Sequence, residues 1–516
     1  MAAAGVFVPN GRSRRVLITL TAMLFLTFLD TTIMSVALQD LQATLHTSVS
    51  QLQWIVNAYA LMFASLMMAF GTLGDRHGRK RVMLAGAAVF IGGSVFGALA
   101  PNVPSLIAAR GVMGIGAAAC EPGTLSIIRQ LYPDKGARAR ALGIWAAVAG
   151  LALAMGPVIG GILVGLGGWH AIFWFNLAAG VGIFAACLAL VPESSDPETA
   201  KPDIVGYILG PIALGTIVFA IILGETAGYT APHVLALFAI GAVVGSIFVF
   251  AEVRSTAPIV EVGYFRRLPF SGSLLVAFAT YFGVFSIFFL TALYLQIVQG
   301  YTAYRTAALF VPMAVAMIIA SSLAGRWVAL RGPRIPVAFG CLAAGAGVLL
   351  TDVVLLGKTN FVPLMLSMAL AGIGFGIAVV PITSVALSSL PSRHSGMAAS
   401  ATTTAREVGT VLGVAALGSL FNRQLMDFLT QKLIELQVPD QFRQYIIDQV
   451  LMGQSSTSAS AAEKQYGPIV GKVVSAAFAA VHSGVTISLL VAGCVILVSG
   501  LIAWVTFAPA KMSLDT

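Results

Sequence analysis

Fourteen stretches of predominantly apolar residues run along the chain with short polar breaks between them. Each approaches or exceeds the ~20 residues that a helix needs to cross a hydrocarbon layer. The first six cover about 15 to 38, 51 to 73, 81 to 100, 104 to 128, 139 to 165 and 171 to 191. A polar stretch from Pro192 to Asp203 follows, then two more at about 204 to 223 and 232 to 252. The remainder lie near 270 to 295, 303 to 325, 335 to 356, 360 to 388, 396 to 422 and 484 to 507. This pattern predicts an all-α polytopic membrane protein of 14 spans. Its parts are an N-terminal six-helix bundle (1–191), a linker with two inserted spans (192–269) and a C-terminal six-helix bundle (270–516) that includes an extracellular loop (426–470). In that loop Phe428, Leu429, Leu433 and Leu436 fall on one side of a short helix, Pro439 and Asp440 interrupt it, and a Ser-rich run after Gly453 reads as linker. A cap on the membrane surface and a tolerated insertion fit it equally.

Charge fixes the orientation. With an inward N-terminus, 20 of the 29 Lys and Arg fall on the cytoplasmic side, and the short outer loops hold only Arg305 and Lys358. The even span count then places both termini inside. Composition agrees with the bilayer as solvent: 58% of residues are hydrophobic, 9% are charged, and the mean hydropathy is +0.93. The net charge of +9 is therefore a topology signal and not a nucleic-acid signal. Arg12, Arg14 and Arg15 precede an apolar run that is too long, and too interrupted by Asp30, for a cleaved signal peptide. The four cysteines sit inside apolar runs without metal or disulfide spacing, so neither a metal nor a disulfide is expected.

The densest knot of charge is Gly71 to Lys80, with Asp75, Arg76, Arg79 and Lys80 between two apolar runs. Gly71, Leu73, Asp75, Arg76, Gly78, Arg79 and Lys80 resemble the loop between spans 2 and 3 of the major facilitator superfamily. Gly325, Gly332 and Arg334 repeat the spacing of Gly71, Gly78 and Lys80, with Ala329 where Asp75 would stand, which is the internal repeat expected of two equivalent halves. In span 5, Gly150, Gly156, Pro157, Gly160 and Gly161 predict a bent, closely packed helix in which Pro157 frees a backbone carbonyl. The pattern is similar to the family's antiporter motif, which implies export.

Span 4 carries Arg110 and Glu121, eleven residues apart, which puts them within ~20° of the same helix face and ~16 Å apart along the axis. Ionisable groups inside a bilayer default to functional hypotheses. Arg110 with Gly114 and Gly116 resembles the family's span-4 motif, implicated there in proton transfer. Leu29, Asp30, Thr31, Thr32 and Ile33 resemble a signature of its fourteen-span drug:proton antiporter branch. Asp30 and Glu121 are both candidates to bind and release a proton as the cavity opens to each side, and either also fits as a buried ion-pair partner of Arg110. Trp54, Tyr59, Trp169, Asn176, Arg406 and Glu407 extend the match along nearly the whole chain, while His170 and Ala178 depart from it. Arg406 and Glu407 point about 100° apart, toward different neighbours. Aromatic residues crowd span 9, and Tyr281, Phe285 and Phe289, with Trp54, Tyr59, Arg406 and Glu407, are candidates for a substrate pocket. Helix packing and lipid contact also account for the aromatic residues.

The resemblance implies a proton-coupled exporter of hydrophobic small molecules, cationic ones among them, of the drug or antibiotic efflux type. It would work by alternating access as a monomer in the plasma membrane, driven by the proton motive force without a cofactor, with Gly71 to Lys80 as a latch between the bundles. A dedicated exporter or importer of one metabolite, or a receptor that transports nothing, fits the same fold. Enzymatic readings lack a foothold, since the sequence has no phosphate loop, no HisGluxxHis and no GlyxSerxGly, and its predicted cytoplasmic loops are too short for a catalytic domain.

Overall fold

A computed structural model describes residues 11–194, 204–255, 261–356, 361–391, 395–451 and 468–507. Most of the predicted linker between Pro192 and Asp203, and the Ser-rich run after Gly453, lie outside the described residues. Among the described residues every regular element is helical: α1 (Gly11–Ile33), α2 (Leu38–Leu45), α3 (Val49–His77), α4 (Arg79–Ala98), α5 (Val103–Leu131), α6 (Lys135–Gly167), α7 (His170–Leu190), α8 (Ile204–Ala227), α9 (Pro232–Arg254), α10 (Leu268–Ser286), α11 (Ala292–Ile297), α12 (Ala303–Arg331), α13 (Arg334–Leu356), α14 (Phe361–Ser388), α15 (Ser395–Glu435), α16 (Asp440–Leu451) and α17 (Pro468–Thr506).

Eleven stretches of the described chain are long and apolar enough to cross a membrane. They fall on α1, α4 to α7, α9, α10 with α11, α12 to α14, and α17. The other three predicted spans are helices as well. In α8 the apolar run is the shorter Ile208–Gly224. In α3 and α15 it is diluted by Gln51, Gln53 and Asn57 and by Thr402 to Glu407. Span 9 was expected as one helix, but a π-helical turn at Ile287–Thr291 separates α10 from α11. The helix α15 runs 41 residues, about 60 Å, and so continues into the segment predicted as a loop. There Leu429 and Leu433 are fully buried in the main core, with Phe428 and Leu436 packed beside them.

The helices form two halves of the same plan. In the first, α5 packs on α3 and α4, α4 on α7, and α1 on α6 and α7. In the second, α14 packs on α12 and α13, α13 on α17, and α10 on α15 and α17. The halves meet along two equivalent seams, α3 with α15 and α12 with α6, while α8 and α9 pair with each other and α8 rests on α3 and α15. The repeat seen in the loops has a backbone counterpart. Gly78 and Gly332 each end the helix before them with positive φ, 108° and 71°, a conformation that favours glycine. Small residues set the packing in the same register in both halves: Gly114 of α5 lies against the backbone of Tyr59, and Gly372 of α14 against that of Met313.

Candidate functional site

Inside the first half, Asp30 of α1 and Arg110 of α5 form an ion pair, both side chains fully buried. The remaining capacity of the pair is nearly all used. Asn176 of α7 donates from Nδ2 to Asp30 Oδ1 at 2.6 Å, and Arg110 Nε donates to Ile55 O at 3.1 Å. The guanidinium lies over the Tyr59 ring at 4.6 Å, and Tyr59 Oη donates to Thr27 O at 2.7 Å. Four helices therefore converge on one buried charge pair, with the added hydrogen bonds such a pair needs. Asn176 was legible only as a family match, because contact between α7 and α1 decides what its amide meets.

Glu121 shares the Arg110 face of α5 but has other company. It lies at the junction of the halves, within electrostatic reach of Arg406 and Glu407 of α15 and of Tyr281 of α10. Glu121 is 2% exposed, and neither its Oε1 nor Glu407 Oε2 has a hydrogen-bond partner among the described residues. Arg406 turns to α14, where Nη2 donates to Val379 O at 3.1 Å and to Thr383 Oγ1, and its guanidinium lies 5.4 Å from the Tyr281 ring. Glu407, about 100° further round α15, lies within electrostatic reach of Glu121, Arg406 and Tyr59. Tyr59 thus stands between the Asp30–Arg110 pair and the charges at the seam. Further along that seam α3 carries Gln53 and Asn57, buried, with no partner for their amide atoms among the described residues, and Gln53 lies against Gly418 of α15. These two amides were visible as polar residues in an apolar span and were not singled out.

The other pocket candidates divide. Trp54 packs on Phe219 of α8 at 5.5 Å, toward the inserted helices. Phe289 is buried in the π-helical turn beside Phe288, which packs on Phe310 at 5.3 Å. The side chain of Phe285 lies outside the described residues.

The glycine and proline run of α6 faces two ways. Gly156 and Gly160 admit α1, so closely that a Cβ on Gly160 would stand 2.5 Å from Ile33 O. Gly161 admits α12, where a Cβ would stand 2.8 Å from Ala303 O, and Gly150 meets the same helix at Met317 and Ser321. Pro157 has no N–H for the carbonyl four residues back. That carbonyl, Leu153 O, accepts instead from Thr32 Oγ1 at 2.9 Å, so the freed acceptor ties α6 to α1 two residues beyond Asp30. At the loop end of the first half, Gly78 abuts Glu193, which follows α7. Lys80 N donates to Glu193 Oε1 at 3.1 Å, Lys80 Nζ to Leu188 O at 2.8 Å, and Arg81 pairs with Glu193 at 3.6 Å. These contacts stay within one half. Gly71, about two helix turns earlier, lies against Pro122 and near Ser400 of the other half. Arg76 is exposed, and the side chain of Asp75 lies outside the described residues.

A family model described as Major Facilitator Superfamily matches residues 20–414. The chain is 32% identical over 450 residues to the multidrug resistance protein Stp of Mycobacterium tuberculosis, covering 87% of this chain and 83% of that protein. It is 33% identical over 414 residues to the methylenomycin A resistance protein of Bacillus subtilis, covering 79% and 87%, and 32% identical over 395 residues to the multidrug efflux pump LfrA of Mycolicibacterium smegmatis, covering 76% and 78%. Among solved structures it shares the fold of a bacterial homolog of the human lysosomal transporter Spinster, crystallised inward-facing and unoccupied, with a TM-score of 0.66 at 18% identity over 97% of this chain and 100% of that one.

Proposed function

This chain belongs to the major facilitator superfamily, and on that premise we propose that it is a proton-coupled exporter of hydrophobic small molecules, cationic ones among them. It is a multi-pass membrane protein and a transporter, not an enzyme. In this reading the protein has fourteen spans with both termini in the cytoplasm, resides in the plasma membrane and works as a monomer by alternating access. The relatives named for drug resistance and efflux support export.

One observation carries the reading: Glu121 of the first half and Glu407 of the second are buried together at the seam, each with a carboxylate oxygen that has no partner among the described residues. Two carboxylates sharing a dry site do not both stay ionised without a cation between them. Arg406 is close and donates from Nη2 to α14, but it is one cation beside two carboxylates, so a proton or a cationic substrate is the natural neutraliser of the second. Rocking of the halves changes the separation of Glu121 and Glu407, and with it the affinity for either ligand. Asp30 and Arg110 act one layer deeper as the switch of the first half, which senses the seam through Tyr59.

Closure supports the same picture. At the end that the charge map places outside, Gln39 N of α2 donates to Gln296 Oε1 of α11 at 3.0 Å, and Gly161 and Gly165 let α6 lie against Ala303 and Tyr304 of α12. The Gly71 to Lys80 loop would latch the opposite end in the alternate state. The test is efflux of a fluorescent lipophilic cation from inside-loaded proteoliposomes, with and without an imposed pH gradient. Wild type is expected to accelerate with the gradient, and Glu121→Gln to lose at least about fivefold of that acceleration. Equal gradient dependence in the two proteins would contradict the assignment.

A further inference from the structure

We infer that Asp352 and His482 form a second proton-binding site, away from the seam, in which the His482 imidazole receives the proton and the Asp352 carboxylate balances its charge. Asp352 lies one turn before the end of α13. It is 6% exposed, and its Oδ1 has no hydrogen-bond partner among the described residues. A carboxylate inside an apolar helix is costly unless something faces it. His482 of α17 reaches the carbonyl of Leu355, one helix turn on from Asp352, and with Thr486 lies within electrostatic reach of the carboxylate.

The imidazole is held by a third group. His482 Nε2 lies 3.1 Å from Leu355 O. A carbonyl only accepts, so Nε2 carries the hydrogen in that bond, and Nδ1 is the atom left to take up a proton. Leu355 is in the last turn of α13, where carbonyls have no partner within the helix, and Tyr294 Oη donates to the same oxygen at 3.5 Å. An imidazolium here would sit against the negative end of a helix dipole and beside a carboxylate with lone pairs to spare.

Among the described residues, the groups that neighbouring elements bring to this level are uncharged. From α11 the Tyr294 ring meets the imidazole edge-on at 5.6 Å, and Tyr294 Oη accepts from Gln299 Nε2 at 3.5 Å. Facing Thr351 from α14 is Ser367 at 3.0 Å. From α15 Gln424 donates to Ser483 at 3.1 Å. A histidine that only caps a helix end would leave the carboxylate beside it, and its unsatisfied oxygen, without a purpose. The site lies near the end of α13 away from Arg334, so it answers to the aqueous phase on the outer side of the proposed topology. Only that consequence rests on the exporter reading.

The test needs no transport. The full chain in lipid nanodiscs is labelled with nitrogen-15 at its six histidines, and the His482 resonances are identified by their loss in His482→Gln. Spectra are collected from about pH 5 to 8, the range in which an imidazole ordinarily changes charge. The proposal predicts that proton uptake by His482 in wild type moves to lower pH in Asp352→Asn, which removes the balancing carboxylate, is restored in Asp352→Glu and is unchanged in Glu121→Gln. A His482 that keeps one charge state across the range, or titrates identically in Asp352→Asn, is a structural cap and overturns the proposal. If Asp352→Asn does not fold, the wild-type titration and Asp352→Glu still decide it. Failure of the exporter reading would leave this result standing.

Discussion

Asp30 and Glu121 are both acids inside apolar helices, and their surroundings give them different work. Asp30 has a cation and an amide on its carboxylate, so Asp30→Asn strands Arg110 without a counter-charge. Breaking a fully buried pair in this way is expected to cost about 3–5 kcal/mol, read as a large drop in thermal unfolding temperature. Glu121→Gln removes no hydrogen bond from Oε1 and should unfold close to wild type while losing coupling. Thr32 offers a cleaner test of one contact. Thr32→Val leaves Leu153 O without its donor beside a proline, at a cost of about 1–3 kcal/mol, and Thr32→Ser should recover most of it. Much at this scale was legible because charge in an apolar run stands out: Asp30, Arg110, Glu121, Arg406 and Glu407 were all marked from the sequence. Their pairing was not, since spacing on α5 puts Arg110 and Glu121 on one face but says nothing of which helices stand opposite. Thr32, Asn176 and Glu193 were passed over as partners because nothing in a hydroxyl, an amide or an interhelical acid shows which acceptor or donor it will meet.

At the scale of elements, the glycine and proline run of α6 is the part where the local pattern and the observed packing agree most closely. Pro157 was expected to free a carbonyl, and Leu153 O is the one it frees. The two contact faces follow from glycine spacing, with Gly156 and Gly160 toward α1 and Gly161 toward α12. Gly160→Ala would put a methyl group 2.5 Å from Ile33 O. Backbone on the facing side cannot swing away as a side chain can, so a destabilisation of about 1–3 kcal/mol is expected, measured by thermal unfolding beside Gly143→Ala, where nothing lies within 4 Å. Element ends were less legible. Apolar length alone stops α15 near 422 and starts α17 near 484, yet both helices run on because they pack against each other, with Ser488 Oγ donating to Leu417 O at 2.9 Å and Gln424 Nε2 to Ser483 Oγ at 3.1 Å. The π-helical turn at Ile287–Thr291 has no sequence signature in a run of aromatic and aliphatic residues.

Across the whole molecule, two halves of one plan meet along α3 with α15 and α6 with α12, and a repeat that began as three matching positions in two loops extends to the main packing pairs of the two six-helix halves. In the proposed alternating access the halves would rock about these two equivalent seams. The charges at the junction give the motion something to carry. Glu121 and Glu407 come from different halves, so in the proposed exporter the energetic link between proton and substrate would lie in the relative position of the halves. The measurement that tests this most directly is proton movement evoked by substrate in proteoliposomes holding a pH-sensitive dye, with a lipophilic cation added to one side only. The account predicts proton flux opposite to the substrate in wild type, and neither flux above background in Glu121→Gln. Substrate flux through wild type with no accompanying proton movement would contradict it.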